Sequence, residues 1–176
     1  AVVSLGGVVA WRARRIAGDA MDAAILNYIR RSHNFLIGER TAEELKMEAG
    51  GGGRNGGPAE TRVRGRDLMT GLPRSLSIRF DEVLEALKDI VCQIGDLVRS
   101  TLESTPPELV SDIIQRGILL TGGASQIQGL DDFLTSITGV RCMRAGDPLS
   151  SVVLGAERLF RDRRLMKAIF GKDRRS

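Results

Sequence analysis

Gly117-Ile118-Leu119-Leu120-Thr121-Gly122-Gly123-Ala124-Ser125 is an apolar run that stops at two adjacent glycines and turns polar. The run predicts a buried strand over 117–121, followed by a turn into a helix over about 129–138. Glycine lacks a Cβ, so a ligand can approach the backbone of such a turn closely, and a helix N-terminus adds unpaired N–H groups. By itself the pattern fits a purely structural turn as well as a nucleotide site.

Downstream of the turn, Gly139 closes the helix as a C-cap and Val140 to Arg144 reads as a further strand. Asp147-Pro148 has the form of an N-cap with proline in the first turn, and predicts a helix through about Phe160. Upstream, Pro107 to Arg116 is a short helix. Pro106-Pro107 stops a long one from Asp81 to Glu103, whose anchors include Val83, Leu87, Ile90 and Val91. Two strands, Arg62 to Asp67 and Arg74 to Arg79, flank the turn Thr70-Gly71-Leu72-Pro73. Six glycines within residues 50–58 predict a flexible loop. Thr41 and Glu44 have capping-box spacing before a helix from Ala42 to Ala49. Met21, Ala24, Ile25, Tyr28 and Ile29 mark another helix after Gly18-Asp19. Strands over Val2–Leu5 and Val8–Ile16 sandwich a Gly6-Gly7 hairpin turn. Alternating strands and helices give an α/β class.

Composition narrows the function. The 176 residues suffice for one domain or two small lobes, and at 42% hydrophobic and 27% charged they read as globular. Residues 161–176 carry seven basic and two acidic side chains, a net of +5 against +4 for the chain, so residues 1–160 sum to −1. The high pI is a property of the tail, and nucleic acid is not among the expected partners. Leu165, Met166, Ile169 and Phe170 share a face in that tail, with Arg163, Arg164 and Lys167 around it. The patch suits either an anionic membrane surface or docking on its own domain. Cys92 and Cys142 lack metal-ligand spacing and read as small buried hydrophobes in a reducing compartment. His33, the only histidine, is expected at a helix end. No run approaches the ~20 apolar residues of a membrane span, and no signal peptide opens the chain. A strand that begins at once, without Met, suggests a fragment whose start lies upstream.

Glu43-Glu44-Leu45-Lys46 has two readings. One is a solvated helix face with ordinary charge pairing. In the other, Glu43 and Lys46, three apart, hydrogen-bond a ribose and flank a purine.

A resemblance covers nearly the whole chain. Ile16-Ala17-Gly18-Asp19-Ala20-Met21-Asp22, Leu36-Ile37-Gly38-Glu39-Arg40-Thr41-Ala42-Glu43-Glu44 and Arg64-Gly65-Arg66-Asp67-Leu68-Met69-Thr70-Gly71-Leu72-Pro73 resemble the MreB family in order. Ser104-Thr105-Pro106-Pro107-Glu108-Leu109, Leu120-Thr121-Gly122-Gly123 and Asp147-Pro148-Leu149 continue the match. The resemblance implies the second half of an actin-like (actin/heat-shock-70/sugar-kinase) ATPase fold. It implies a nucleotide-side lobe from residues 1–16 and 104–176, and an inserted smaller lobe from 17–103 carrying the Gly-rich loop 50–58.

It further implies ATP with Mg2+, the metal ligands lying outside this segment. Gly122, Gly123, Ala124, Ser125 and Gln126 would pack beside adenosine. Glu43, Glu44, Leu45 and Lys46 would contact purine and ribose, the two groups converging on one pocket. The family usually has three glycines in the adenosine turn; here the third is Ala124. Its phosphate loops and catalytic acid lie upstream, so this segment alone is expected not to hydrolyse ATP, and no catalytic residue is assigned. The implied setting is the bacterial cytoplasm at the inner face of the membrane, in filaments that organise rod-shaped growth with cell-shape and wall-synthesis proteins. A kinase or chaperone-type ATPase of the same superfamily is the alternative.

Overall fold

The computed structural model describes residues 1–16, 18–51 and 59–170. The chain divides into two compact units: unit 1 comprises residues 1–14, 96–125 and 131–176, and unit 2 residues 15–95 and 126–130. One boundary falls within a long helix, at 95/96, and not after it.

In unit 2 the amphipathic spacing decides the packing. Helix α1 (Gly18–His33) buries Met21, Ile25 and Ile29, one turn apart. Strand β3 (Phe35–Leu36) follows, then α2 (Glu39–Gly51), which buries Ala42, Leu45 and Ala49. Strands β4 (Glu60–Asp67) and β5 (Pro73–Arg79) complete an antiparallel sheet in the order β3-β4-β5. Its inward residues are Phe35, Val63 and Ile78, and α3 (Phe80–Glu103) adds Val83, Leu87 and Ile90. A Cβ on Gly65 would collide with the Leu36 carbonyl and lie 2.6 Å from the Phe35 ring, so the close β3–β4 approach requires glycine.

Local chemistry differs from expectation here. The capping box at Thr41 and Glu44 is not formed. α2 begins at Glu39, with Ala42 N–H bonded to the Gly38 carbonyl at 3.1 Å, so Thr41 is already inside the helix. Glu44 instead accepts from Arg40 Nε at 3.0 Å, one turn away. A reach-back of that kind occurs at α3: Glu82 Oε2 accepts from the Arg79 N–H at 3.0 Å. The other oxygen of Glu82 lies 2.7 Å from Nε2 of the helix-end His33. Gly50 and Gly51 are the last residues of α2; the rest of the Gly-rich loop, residues 52–58, lies outside the described residues.

Unit 1 contains two short ladders. Strands β1 (Val2–Ser4) and β2 (Gly7–Ala10) form a hairpin whose turn is Leu5-Gly6, both with positive φ, and not Gly6-Gly7. β2 ends at Ala10, six residues short of the expected Ile16; beyond it Arg12 Nε donates to the Ser100 carbonyl at 3.1 Å. Helix α4 (Pro107–Arg116) leads into β6 (Ile118–Leu120), which pairs in parallel with β7 (Cys142–Arg144). Between them lies α5 (Leu130–Thr138), ended by Gly139 at φ +70° as expected. The Thr135 hydroxyl joins α5 to β7 by accepting from the Cys142 N–H at 3.0 Å. Cys142 is buried as expected. Cys92 is exposed, because two residues on from Ile90 it points to the other side of α3.

Helices α6 (Ser151–Arg161) and α7 (Arg163–Phe170) follow, and Asp162 Oδ1 caps α7 through the N–H groups of Arg164 and Leu165. The last basic residues, 171–176, lie outside the described residues. Among the described residues no helix is long and apolar enough to cross a membrane.

Candidate functional site

The Gly122 turn is built from both sides of the chain. Gly122 sits at φ +84°, a conformation that side-chain-bearing residues rarely adopt, and the space where its Cβ would stand is open to 4 Å. The turn is pinned from behind by Pro148, whose carbonyl accepts from the Gly122 N–H at 2.9 Å and from the Thr121 hydroxyl at 3.1 Å. A short 3-10 helix, Gly123–Gln126, follows at once, so the α-helix begins later than the glycine pair suggests. Ser125, 4% exposed, closes this turn on itself: its N–H and hydroxyl both reach the Gly122 carbonyl, at 3.1 and 2.7 Å. Gly123 and Gln126 are exposed and Ala124 is half-buried. Ala124 is absent from the residues with positive φ, so an alanine in place of the family's third glycine places no strain on the backbone.

Pro148 is the supporting residue that the sequence reading misplaces. A helix starting at Asp147 would commit the Pro148 carbonyl to an amide one turn on. Instead α6 starts at Ser151, and Asp147 holds a preceding turn by accepting from the Ser150 N–H at 3.1 Å. That turn leaves the Pro148 carbonyl free to hold the glycine loop.

The four α2 residues separate by face. Glu43 and Glu44 are exposed, while Leu45, 1% exposed, belongs to the core of unit 2. Lys46 turns toward α1: its Nζ lies 2.7 Å from Asp22 Oδ1 and 2.9 Å from Oδ2, the latter with hydrogen-bonding geometry. It also reaches the Gly18 carbonyl at 3.4 Å. Lys46 therefore joins two helices, and Glu43 stands without it. No group of three or more His, Cys, Asp or Glu able to hold a metal occurs among the described residues. A cleft of about 720 Å³ in unit 1 involves none of the nine predicted nucleotide residues.

Comparison with known proteins gives a consistent picture. The family model described as MreB/Mbl protein matches residues 1–168. The cell shape-determining protein MreB of Escherichia coli K12 is 45% identical over 155 residues, which is 88% of this chain and 45% of that protein. The crystal structure of MreB 5 of Spiroplasma citri bound to AMPPNP superposes with a TM-score of 0.85 at 33% identity, over 94% of this chain and 49% of that one. A chain of the MamK double helical filament, 22% identical, shares the fold at a TM-score of 0.67, over 83% of this chain and 45% of that one. This chain thus spans about half the length of the relatives it matches.

Proposed function

Because this chain belongs to the MreB/Mbl family, with its actin-like fold, we propose that it serves an ATP-binding cytoskeletal filament subunit that organises rod-shaped bacterial growth. The observation that carries the reading is Gly122: a left-handed glycine, braced from behind by Pro148, with open space where a side chain would stand. Such a turn lets the flat face of a purine nucleoside lie against bare backbone.

In this reading Gly122, Gly123, Ala124, Ser125 and Gln126 pack beside adenosine. Ser125 contributes indirectly, by holding the turn's shape. Glu43 and Glu44 offer exposed carboxylate oxygens to ribose hydroxyls. Leu45 and Lys46 support them, the one by anchoring α2 in the core and the other by fixing it to α1. The Spiroplasma relative was crystallised with AMPPNP, which supports ATP as the ligand; Mg2+ would arrive with the triphosphate. Nucleotide state then biases the conformation that associates head to tail, through a repeating heterologous contact. The MamK filament supports self-association as the outcome. The setting we infer is the bacterial cytoplasm at the inner membrane face, beside the cell-shape and wall-synthesis proteins, with α7 as one candidate membrane contact.

Titration calorimetry with AMPPNP tests the site. Gly122→Val is expected to weaken binding at least about tenfold, and Glu43→Ala by a smaller factor. Unchanged affinity in both variants, or no binding by the parent chain, would remove the proposal. Pelleting with ATP tests assembly.

A further inference from the structure

The sheet of unit 2 uses arginine in two ways. On β5, Arg74 and Arg79 each hold a carboxylate, Asp67 at 3.0 Å and Asp81 at 2.6 Å. On β4, Arg62, Arg64 and Arg66 hold none: among the described residues their side chains make no hydrogen bond or ion pair. The three are exposed at alternate positions, and Val63 between them is buried, so they stand in a row on the face turned away from the core. Neighbours in such a row are about 7 Å apart along the strand. Across the ladder Ser77 is opposite Arg62 and Ser75 is opposite Arg64, both exposed, with hydroxyls that make no bond among the described residues. Leu36, 40% exposed, and Pro73 flank Arg66 on its two sides.

Three like charges in a row repel one another, and the described fold gives them no counter-charge. Lysine would guard a strand edge as well, whereas a guanidinium presents a planar fork of donors that matches a carboxylate or a phosphate. The face therefore suits a ligand with several anionic groups at the same interval of about 7 Å, which an extended polypeptide with acidic residues at alternate positions presents along one side. A nucleic-acid strand has the charge, but the only aromatic residue of the three strands, Phe35, is buried on the opposite face, so bases would have no ring to stack on. A flat lipid surface would meet Glu60, exposed at the end of the same row, together with the arginines.

We propose that the outward face of β4 and β5 docks an extended acidic segment of a partner protein, its alternate carboxylates on Arg62, Arg64 and Arg66 and its backbone over Ser75 and Ser77. Leu36 and Pro73 would receive an apolar side chain beside the carboxylate on Arg66. The site lies wholly within unit 2 and does not depend on the nucleotide reading. Each exposed ion pair is weak alone, so binding needs the whole row and falls as salt rises.

The test is fluorescence anisotropy with the full 176-residue chain and a labelled peptide of alternating Glu and Ser long enough to span β4. Its control carries the same number of Glu at every third position, which scatters the carboxylates over both sides of an extended chain. The alternating peptide is expected to bind saturably and more tightly than the control. Replacing Arg62, Arg64 and Arg66 together by Ser should weaken it about tenfold or more. Arg30→Ser with Arg31→Ser, which removes exposed charge from α1 of the same unit, should leave it nearly unchanged. Lysine at the three β4 positions keeps the charge without the fork and should bind between parent and Ser variant; it decides if the Ser variant misfolds. No saturable binding, equal binding of the two peptides, or full binding by the Lys variant overturns the proposal. Binding that survives the Ser variant also overturns it, by placing the contact on the basic tail. So does tighter binding of anionic phospholipid vesicles or of a single-stranded oligonucleotide through the same three arginines.

Discussion

Unit 2 and unit 1 draw on the same kinds of residue and use them differently. In unit 2 three helices and a three-stranded sheet place Met21, Ile25, Ile29, Leu45, Ile78, Val83 and Leu87 almost wholly out of water. In unit 1 Val3, Val9, Leu119, Val152 and Phe160 are exposed, and each ladder has only two strands. The difference is one of strand pairing, since a two-stranded ladder has as many bare edges as strands and too little face to hide its own side chains. The buried apolar residues of unit 2, like Leu134 and Val140 in unit 1, are therefore evidence about stability, and the exposed ones on the ladders of unit 1 are evidence about association.

The sharpest way to break this comparison is to truncate one leucine in each unit. Leu45→Ala empties a fully buried position and should cost about 3 kcal/mol. Leu119→Ala, at a residue 66% exposed, should cost less than about 0.5 kcal/mol. Urea titrations of the two variants decide it, followed by the fluorescence of Tyr28 in unit 2 and Trp11 in unit 1, each the only residue of its type. Equal losses would mean that Leu119 is packed more tightly than its exposure indicates.

Backbone crowding should be the next largest effect, and it should not distinguish the units. Gly65→Ala drives a methyl group into the Leu36 carbonyl, and Gly117→Ala combines φ +86° with a Cβ 2.6 Å from the Arg141 carbonyl. Each is expected to cost about 2 kcal/mol, measured as a shift in urea midpoint. A tolerated Gly117→Ala would show that the parallel ladder of unit 1 is loose enough to yield.

What the sequence made legible follows the same division. The amphipathic stripes of α1 and α3 could be read because a long periodic face buries the same residues in any packed context. The C-cap at Gly139 and the glycine turn at Gly122 could be read because backbone stereochemistry is local. Two-residue β3 shows no alternation to detect, and the end of β2 at Ala10 depends on a partner strand that local sequence does not specify. Thr41 and Asp147-Pro148 have the right spacing for caps, yet α2 starts at Glu39, α6 starts at Ser151, and the Pro148 carbonyl is taken by the distant Gly122 turn. Of the candidate site, Gly122 was visible and the bracing carbonyl of Pro148 was not, because a contact across 26 residues leaves no periodic trace. The commitment of Lys46 to Asp22 was hidden for the same reason.

That commitment yields a smaller prediction. Lys46→Met leaves the half-buried Asp22 carboxylate without its cation and should cost about 1.5 kcal/mol. Adding Asp22→Asn should restore part of the loss, and the coupling is read from a double-mutant cycle of urea midpoints. If the cycle shows no coupling while Lys46→Met reduces AMPPNP affinity, Lys46 serves the nucleotide directly and does not act as a fastener of α2.

The smallest effect lies at the rim of unit 2, in the β4–β5 turn. Asp67 accepts from the Met69 and Thr70 N–H groups at 2.9 and 3.1 Å and from Arg74 at 3.0 Å. The Thr70 amide first, then the Arg74 guanidinium and the Met69 amide, hold its carboxyl below the ordinary aspartate value of 3.8. A lowered folded pKa means that the unfolded chain takes up the proton first as pH falls. The stabilisation is thus complete above the ordinary value and is lost as pH falls through the lowered one. Asp67→Asn should therefore be slightly less stable than the parent near neutral pH, and the gap should close as pH falls below the ordinary aspartate value. The Tyr28-detected urea midpoints of the two proteins across that range measure it. A gap that persists in acid would place the role of Asp67 in the shape of the turn and not in its charge. The apolar face of unit 2 would then hold the hairpin even where the pattern of charges looks most deliberate.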